Sequence, residues 1–170
     1  THLELKRYFG IEELLNEETA QPIWDRANEQ LAMPELSAHG ILNRFKVKVV
    51  GTTDDPTDDL AHHRAIADSG IGTRVVPTFR PDKALNVHLP EQWNAWVAAL
   101  EKAADTSIST LTDLVAALKQ RHDFFHEMGG RLSDHGLERC FSDFPTDVEA
   151  SAIFDKARAG GAATAEEQGK

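Results

Sequence analysis

The residues with the types and spacing to do chemistry fall in three short groups: Thr52-Thr53-Asp54-Asp55-Pro56, Arg80-Pro81-Asp82-Lys83 and Ser133-Asp134-His135-Gly136. His135 is the best single candidate. A histidine in such a setting can bind a metal, shuttle a proton or hold a substrate oxygen; a buried structural histidine is the competing reading. Arg80 can clamp a carboxylate through two parallel hydrogen bonds, and Asp82 and Lys83 can hold hydroxyls. The same three residues can equally form an ion pair at a helix start. Asp54 and Asp55 can bind a metal or act as a base, although adjacent carboxylates also simply open helices. Of the eight histidines, only His122 and His126 stand at i, i+4, where a helix presents both to one ion, and no third ligand is evident. His62 and His63 are neighbours, about 100° apart on a helix, and read as ordinary surface or half-buried side chains. No HxH, HExxH, CxxC or phosphate-binding glycine motif is present.

Each group follows a short apolar run. Val47-Lys48-Val49-Val50-Gly51 precedes the first, Val75-Val76-Pro77-Thr78-Phe79 the second, and Gly130-Arg131-Leu132 the third. Such runs, set between helical patterns, predict about three parallel strands of an α/β fold, near 47–51, 73–79 and 130–133. Chemistry in these folds collects at the carboxyl ends of the strands. A core-only reading accounts for the runs but not for the charges placed just after each one. Thr53, Arg80 and His135 are therefore expected together at one end.

Helical spacing fills the rest. Glu17–Leu31 carries Ala20, Ile23, Trp24, Ala27 and Leu31 on one stripe, with Asn16 as N-cap. Ser37 caps a short helix, and Asp55-Pro56 starts one running to about Ser69. A short helix follows Arg80-Pro81-Asp82. Longer ones span Pro90–Ala104 and Thr110–Met128, the second opened by Thr110 and Asp113 and closed by Gly129-Gly130. Trp93 and Trp96, three residues apart on an apolar stripe, read as core and not as a sugar-stacking platform. Phe141–Pro145 reads as a loop. Thr146 with Glu149 caps a helix through Ala157, and Thr164 with Glu167 announces another just before Lys170. The parts are a helical portion 1–45, two strand-helix units 46–89, a helical insertion 90–129, and a third strand with C-terminal helices 130–170.

With 170 residues, 41% hydrophobic and 27% charged, the chain fits one globular domain. A net charge of −10 argues against a sequence-independent grip on nucleic acid and against an anionic membrane surface. No apolar run approaches the ~20 residues of a membrane span. The single Cys140 fits a reducing, cytoplasmic compartment and reads as a small buried hydrophobe. The chain starts at Thr1, and its last capping box is barely followed, so it reads as a truncated segment.

Four blocks, His2-Leu3-Glu4-Leu5-Lys6-Arg7-Tyr8-Phe9-Gly10-Ile11, Gly51-Thr52-Thr53-Asp54-Asp55-Pro56, Phe79-Arg80-Pro81-Asp82-Lys83-Ala84 and Ser133-Asp134-His135-Gly136-Leu137, closely resemble the uronate (glucuronate) isomerase family, in that family's order. The resemblance implies an amidohydrolase-like (β/α)8 barrel that interconverts glucuronate with fructuronate and galacturonate with tagaturonate, with a divalent metal, typically zinc. It implies His135 as the catalytic residue, and Arg80, Asp82, Lys83, Asp54 and Asp55 as a substrate-binding face. The family's HxH lies upstream of the first block, and its Asp-x-Arg strand end lies downstream of the last. The chain is thus expected to be an internal, helix-rich fragment of the barrel, inactive alone, without its own metal, and prone to self-association through uncovered strand edges. A uronate is the implied partner of the parent. A metal-dependent hydrolase of the same superfamily and a non-catalytic helical interaction domain are the alternatives.

Overall fold

A computed structural model describes residues 1–137, 141 and 143–170; Cys140 lies outside them. The chain divides into two compact units, residues 1–49 with 70–74, and residues 50–69 with 75–170.

The first unit holds α1 (His2–Phe9), α2 (Ala20–Leu31), a 3₁₀ turn at Pro34–Leu36 and α3 (Ala38–Arg44). Leu5, Ile11 and Ile23 form its small core with Phe9 against them. Of the expected stripe on α2, Ile23 is buried, whereas Trp24 and Leu31 are exposed. Asn16 does not cap α2 itself. Its carboxamide oxygen accepts the Glu18 and Thr19 amides, closing the turn that leads in. Ser37 does cap α3, accepting the Gly40 amide at 3.1 Å.

Strand β1 (Val49–Gly51) pairs with β2 (Arg74–Val76). The Arg74 amide donates to Lys48 and the Thr52 amide to Val76, a parallel register. Beyond the strands the ladder continues as single parallel bridges, Asp54 with Phe79 and Phe79 with Ser133. The third expected strand is reduced to that last contact. Pro77 has no N–H to give a longer ladder, and Gly130 is already taken by the helix before it, its amide donating to Phe125 at 2.9 Å.

In the second unit, α4 (Ala61–Asp68) starts later than Asp55-Pro56 predicts. The carboxylates of Asp55, Asp58 and Asp59 each accept the amide two residues on, from Thr57, Leu60 and Ala61. These local bonds compete with the first helical turn. Leu60 then adopts a left-handed φ of 56° while completely buried. The helices α5 (Pro90–Ala104), α6 (Leu111–Glu127) and α7 (Asp147–Arg158) follow their sequence signals closely. Thr110 with Asp113 and Thr146 with Glu149 form full capping boxes. The three helices share a core of Trp93, Trp96, Val97, Leu100, Leu114, Ala117 and Phe154, each large side chain contributing roughly 1.5–3 kcal/mol by burial. A second cluster, Leu60, Phe79 and Phe125, seats the strand end on α6.

Arg121 of α6 joins this helical layer to the loop after β1. Its guanidinium donates to the carbonyls of Pro56 (2.8 Å), Asp58 (2.8 Å) and Ala103 (3.1 Å) and lies over the Phe124 ring. Among the described residues no helix is long and apolar enough to cross a membrane.

Candidate active site at the strand ends

The parallel bridges at Asp54, Phe79 and Ser133 set three chain segments side by side, and each delivers its polar residues immediately afterwards. The Arg80 amide donates to the Asp54 carbonyl at 3.0 Å, and the Asp134 amide to the Phe79 carbonyl at 3.3 Å. Thr53, Arg80, Asp82, Lys83, Asp134 and His135 thereby meet within the second unit.

Three linked groups result. In the first, Arg80 Nη2 pairs with Asp134 Oδ2, which also accepts the Thr53 hydroxyl at 3.2 Å. The hydrogen bond to Asp134 raises the Arg80 pKa, and the same contact holds the Asp134 carboxyl below the usual range. Arg80 Nε and Asp134 Oδ1 are buried without a partner among the described residues.

In the second, His135 Nδ1 stands 2.7 Å from Asp82 Oδ1, while Asp82 Oδ2 accepts the Gly136 amide at 2.6 Å. A carboxylate against Nδ1 assigns the proton of the neutral ring to that nitrogen and leaves the lone pair on Nε2. The imidazole side chain is 49% exposed and Asp82 only 21%, so the acid is the anchor and the ring the accessible partner.

In the third, Lys83 Nζ lies 3.1 Å from Asp55 Oδ2. Asp55 Oδ1 accepts the Thr57 amide (2.9 Å), the Thr57 hydroxyl (2.7 Å) and the Trp96 indole N–H (3.0 Å). Burial works to raise the Asp55 pKa, but the donors from Thr57, Trp96 and Lys83 outweigh it and hold the carboxyl low. A carboxylate so supplied with donors is a poor base.

Asp54 stands apart from these groups. Its carboxylate accepts the Thr52 hydroxyl at 2.5 Å and the Thr78 amide at 3.2 Å, with His63 Nε2 3.7 Å away. His63, expected at the surface or half-buried, is buried, and its Nε2 meets Thr52 Oγ1 at 2.8 Å.

A family model for glucuronate isomerase matches residues 1–170. The chain belongs to the glucuronate isomerase family. It is 65% identical to a uronate isomerase of Solibacter usitatus over all 170 residues and 55% identical to one of Opitutus terrae, covering 36% of each relative. The crystal structure of a uronate isomerase from Thermotoga maritima superposes with a TM-score of 0.86 at 35% identity, over 99% of this chain and 37% of that one. A glucuronate isomerase structure from Caulobacter crescentus gives 0.84 at 27%, over 97% and 34%. The chain therefore spans about a third of the length of these members of the family.

A divalent metal is what membership of the family implies. Among the described residues no three His, Cys, Asp or Glu side chains come together to hold one. His122 instead packs edge-on against Phe79, ring centroids 5.3 Å apart. The described residues of this site therefore do not fit a metal ion.

Asp134, Thr52, His63 and Arg121 escaped assignment from sequence, as did the polar side of Trp96. Asp134 and Thr52 carried the available signal, their places in the strand-end groups of His135 and of Asp54. Trp96 is core, as its spacing predicts, but its indole N–H faces the site.

Proposed function

We propose that the full-length enzyme carrying this segment is a uronate isomerase, interconverting aldose and ketose forms of sugar acids such as glucuronate and galacturonate. The observation that carries this is the convergence of the His135–Asp82 dyad with Arg80 and Lys83 at one end of parallel strands, in a chain that belongs to this family and whose relatives bear that name. In the full-length enzyme these strand ends form part of a (β/α)8 barrel's active face; a place in carbohydrate catabolism follows from the family, and a cytoplasmic one fits the single Cys140.

Aldose–ketose isomerisation moves a hydrogen between C1 and C2, most simply through an enediol. Nε2 of His135, freed as an acceptor by Asp82 on Nδ1, holds or moves the proton at a sugar oxygen or carbon. Arg80 offers its guanidinium to the uronate carboxylate while Asp134 fixes its plane. Lys83, anchored by Asp55, steadies the oxygen on which negative charge develops. Asp54 shapes the face from behind, through the Thr52 hydroxyl and the Thr78 amide. A divalent metal, zinc by analogy with the family, would take its ligands from residues outside this segment.

The test is turnover by the full-length enzyme on uronates against esters and amides. Uronate isomerisation is expected, together with a loss of ~10²-fold in kcat on Asp82→Asn, since the amide no longer fixes the His135 tautomer. Ester or amide hydrolysis in its place would move the protein to the hydrolases of the superfamily. Full uronate activity in the His135→Ala variant would remove the dyad from the chemistry.

A further inference from the structure

We propose that Trp96, on the inserted helix α5, is a positioning residue for this reaction, acting through Asp55 to hold the Lys83 ammonium at the strand-end site; the proposal rests on the isomerase reading above. Two tryptophans one helical turn apart show the contrast. Trp93 gives its indole N–H to a backbone carbonyl, that of Ala84, at 2.9 Å. This is the usual way a buried tryptophan satisfies its one donor. Trp96 is only 7% exposed, yet it aims its N–H at a charged side chain, 3.0 Å from Asp55 Oδ1 and 3.2 Å from Oδ2.

That donor, with the Thr57 amide and hydroxyl on Oδ1, fixes the carboxylate from its buried side. It leaves Oδ2 for one more partner, and Lys83 takes it at 3.1 Å. The Lys83 side chain is 60% exposed. A lysine on four rotatable bonds, free in solvent, spreads its charge over many positions. Tied to an anion that cannot swing away, it presents the charge at one place. Preorganised charge of this kind is what a developing oxyanion needs, because no reorganisation is left to do during the reaction. The insertion thus contributes to the chemistry of the strand ends through a hydrogen bond relayed by one carboxylate.

The experiment is a double-mutant cycle in the full-length enzyme on a uronate substrate, with a chemical readout beside it. Trp96→Phe keeps an aromatic ring and removes the N–H. It should lower kcat ~5- to 10-fold with little change in KM, and Lys83→Met should lower it further. The double variant should be no worse than Lys83→Met alone, because Trp96 acts only through that lysine. Acetylation of Lys83, read by mass spectrometry against the exposed Lys102, should rise about threefold in Trp96→Phe as the ammonium is released from Asp55. Multiplicative losses in the double variant, or an unchanged labelling ratio, would overturn the proposal. If Trp96→Phe fails to fold, benzothienylalanine at position 96 keeps the two-ring shape with sulfur in place of the N–H, and the same two outcomes decide. An enzyme that does not turn over uronates at all sinks the isomerase reading, while the labelling ratio still decides whether Trp96 positions Lys83.

Discussion

Arg80 is the residue whose partner says most about its job. Asp134 takes one nitrogen of the guanidinium and sets its plane without covering it, since the arginine side chain is still 37% exposed. A uronate carboxylate can meet the remaining edge in a two-bond contact. Arg80→Ala in the full-length enzyme should cut kcat/KM for uronates by ~10², about 2.7 kcal/mol of transition-state stabilisation, and should weaken discrimination against the neutral parent sugars. Unchanged uronate kinetics would take Arg80 out of the site. Arg80, Asp82 and His135 are legible as candidates because each lies in a polar group that follows an apolar run. Their pairings were not. Arg80 meets Asp134 across 54 residues, and Asp55 meets Trp96 across 41, and no local pattern encodes a contact at that separation.

At the level of elements, capping boxes are legible in the sequence, and the outcome of competition between local bonds is not. The two capping boxes on α6 and α7 are local and formed as the sequence predicts. The helix expected from Pro56 was delayed because three aspartates captured nearby amides first, and the third strand shrank because Gly130 serves the exit from α6. Gly130 lies so close to its neighbours that a Cβ there would come within 2.8 Å of the Pro77 carbonyl oxygen and 2.9 Å of that of Phe125. Gly130→Ala should therefore destabilise the full-length enzyme by about 1–3 kcal/mol, the usual cost of overpacking, seen as a lower denaturant midpoint.

The α7 box also carries a pH signature. The Thr146 amide, with Lys170 and the Thr146 hydroxyl, pulls the Glu149 pKa from its ordinary 4.5 to about 2. A lowered folded-state pKa means the unfolded chain binds more protons between those values, so stability rises with pH there. The contribution is fully present above 4.5, declines as pH falls, and is gone below about 2. Thermal unfolding followed from pH 2 to 6 should show a shallower rise for Glu149→Gln than for the parent; identical curves would mean the box contributes nothing in solution.

For the molecule as a whole, 170 residues that match about a third of their relatives hold strand ends but no complete metal site among the described residues. A catalytic zinc normally takes three protein ligands and keeps a position for water or substrate. The isolated segment is accordingly expected neither to isomerise uronates nor to retain stoichiometric zinc after dialysis. Elemental analysis paired with a turnover assay checks both, and zinc together with turnover would refute the expectation. Composition and periodicity specified an acidic α/β chain with long helices after its strands. They do not contain the bridging of Phe79 to both Asp54 and Ser133, which joins segments far apart in the chain.

The joint made by Arg121 bears on how such proteins can be recombined. All three of its acceptors are main-chain carbonyls, which every sequence supplies. A chimera taking its first segment from one relative and its α5–α6 pair from another should keep this joint whatever side chains the donor loop carries, provided Arg121 travels with the helix. The Trp96–Asp55 contact, side chain to side chain, survives such a crossover only when the first parent supplies Asp55 and the second supplies Trp96.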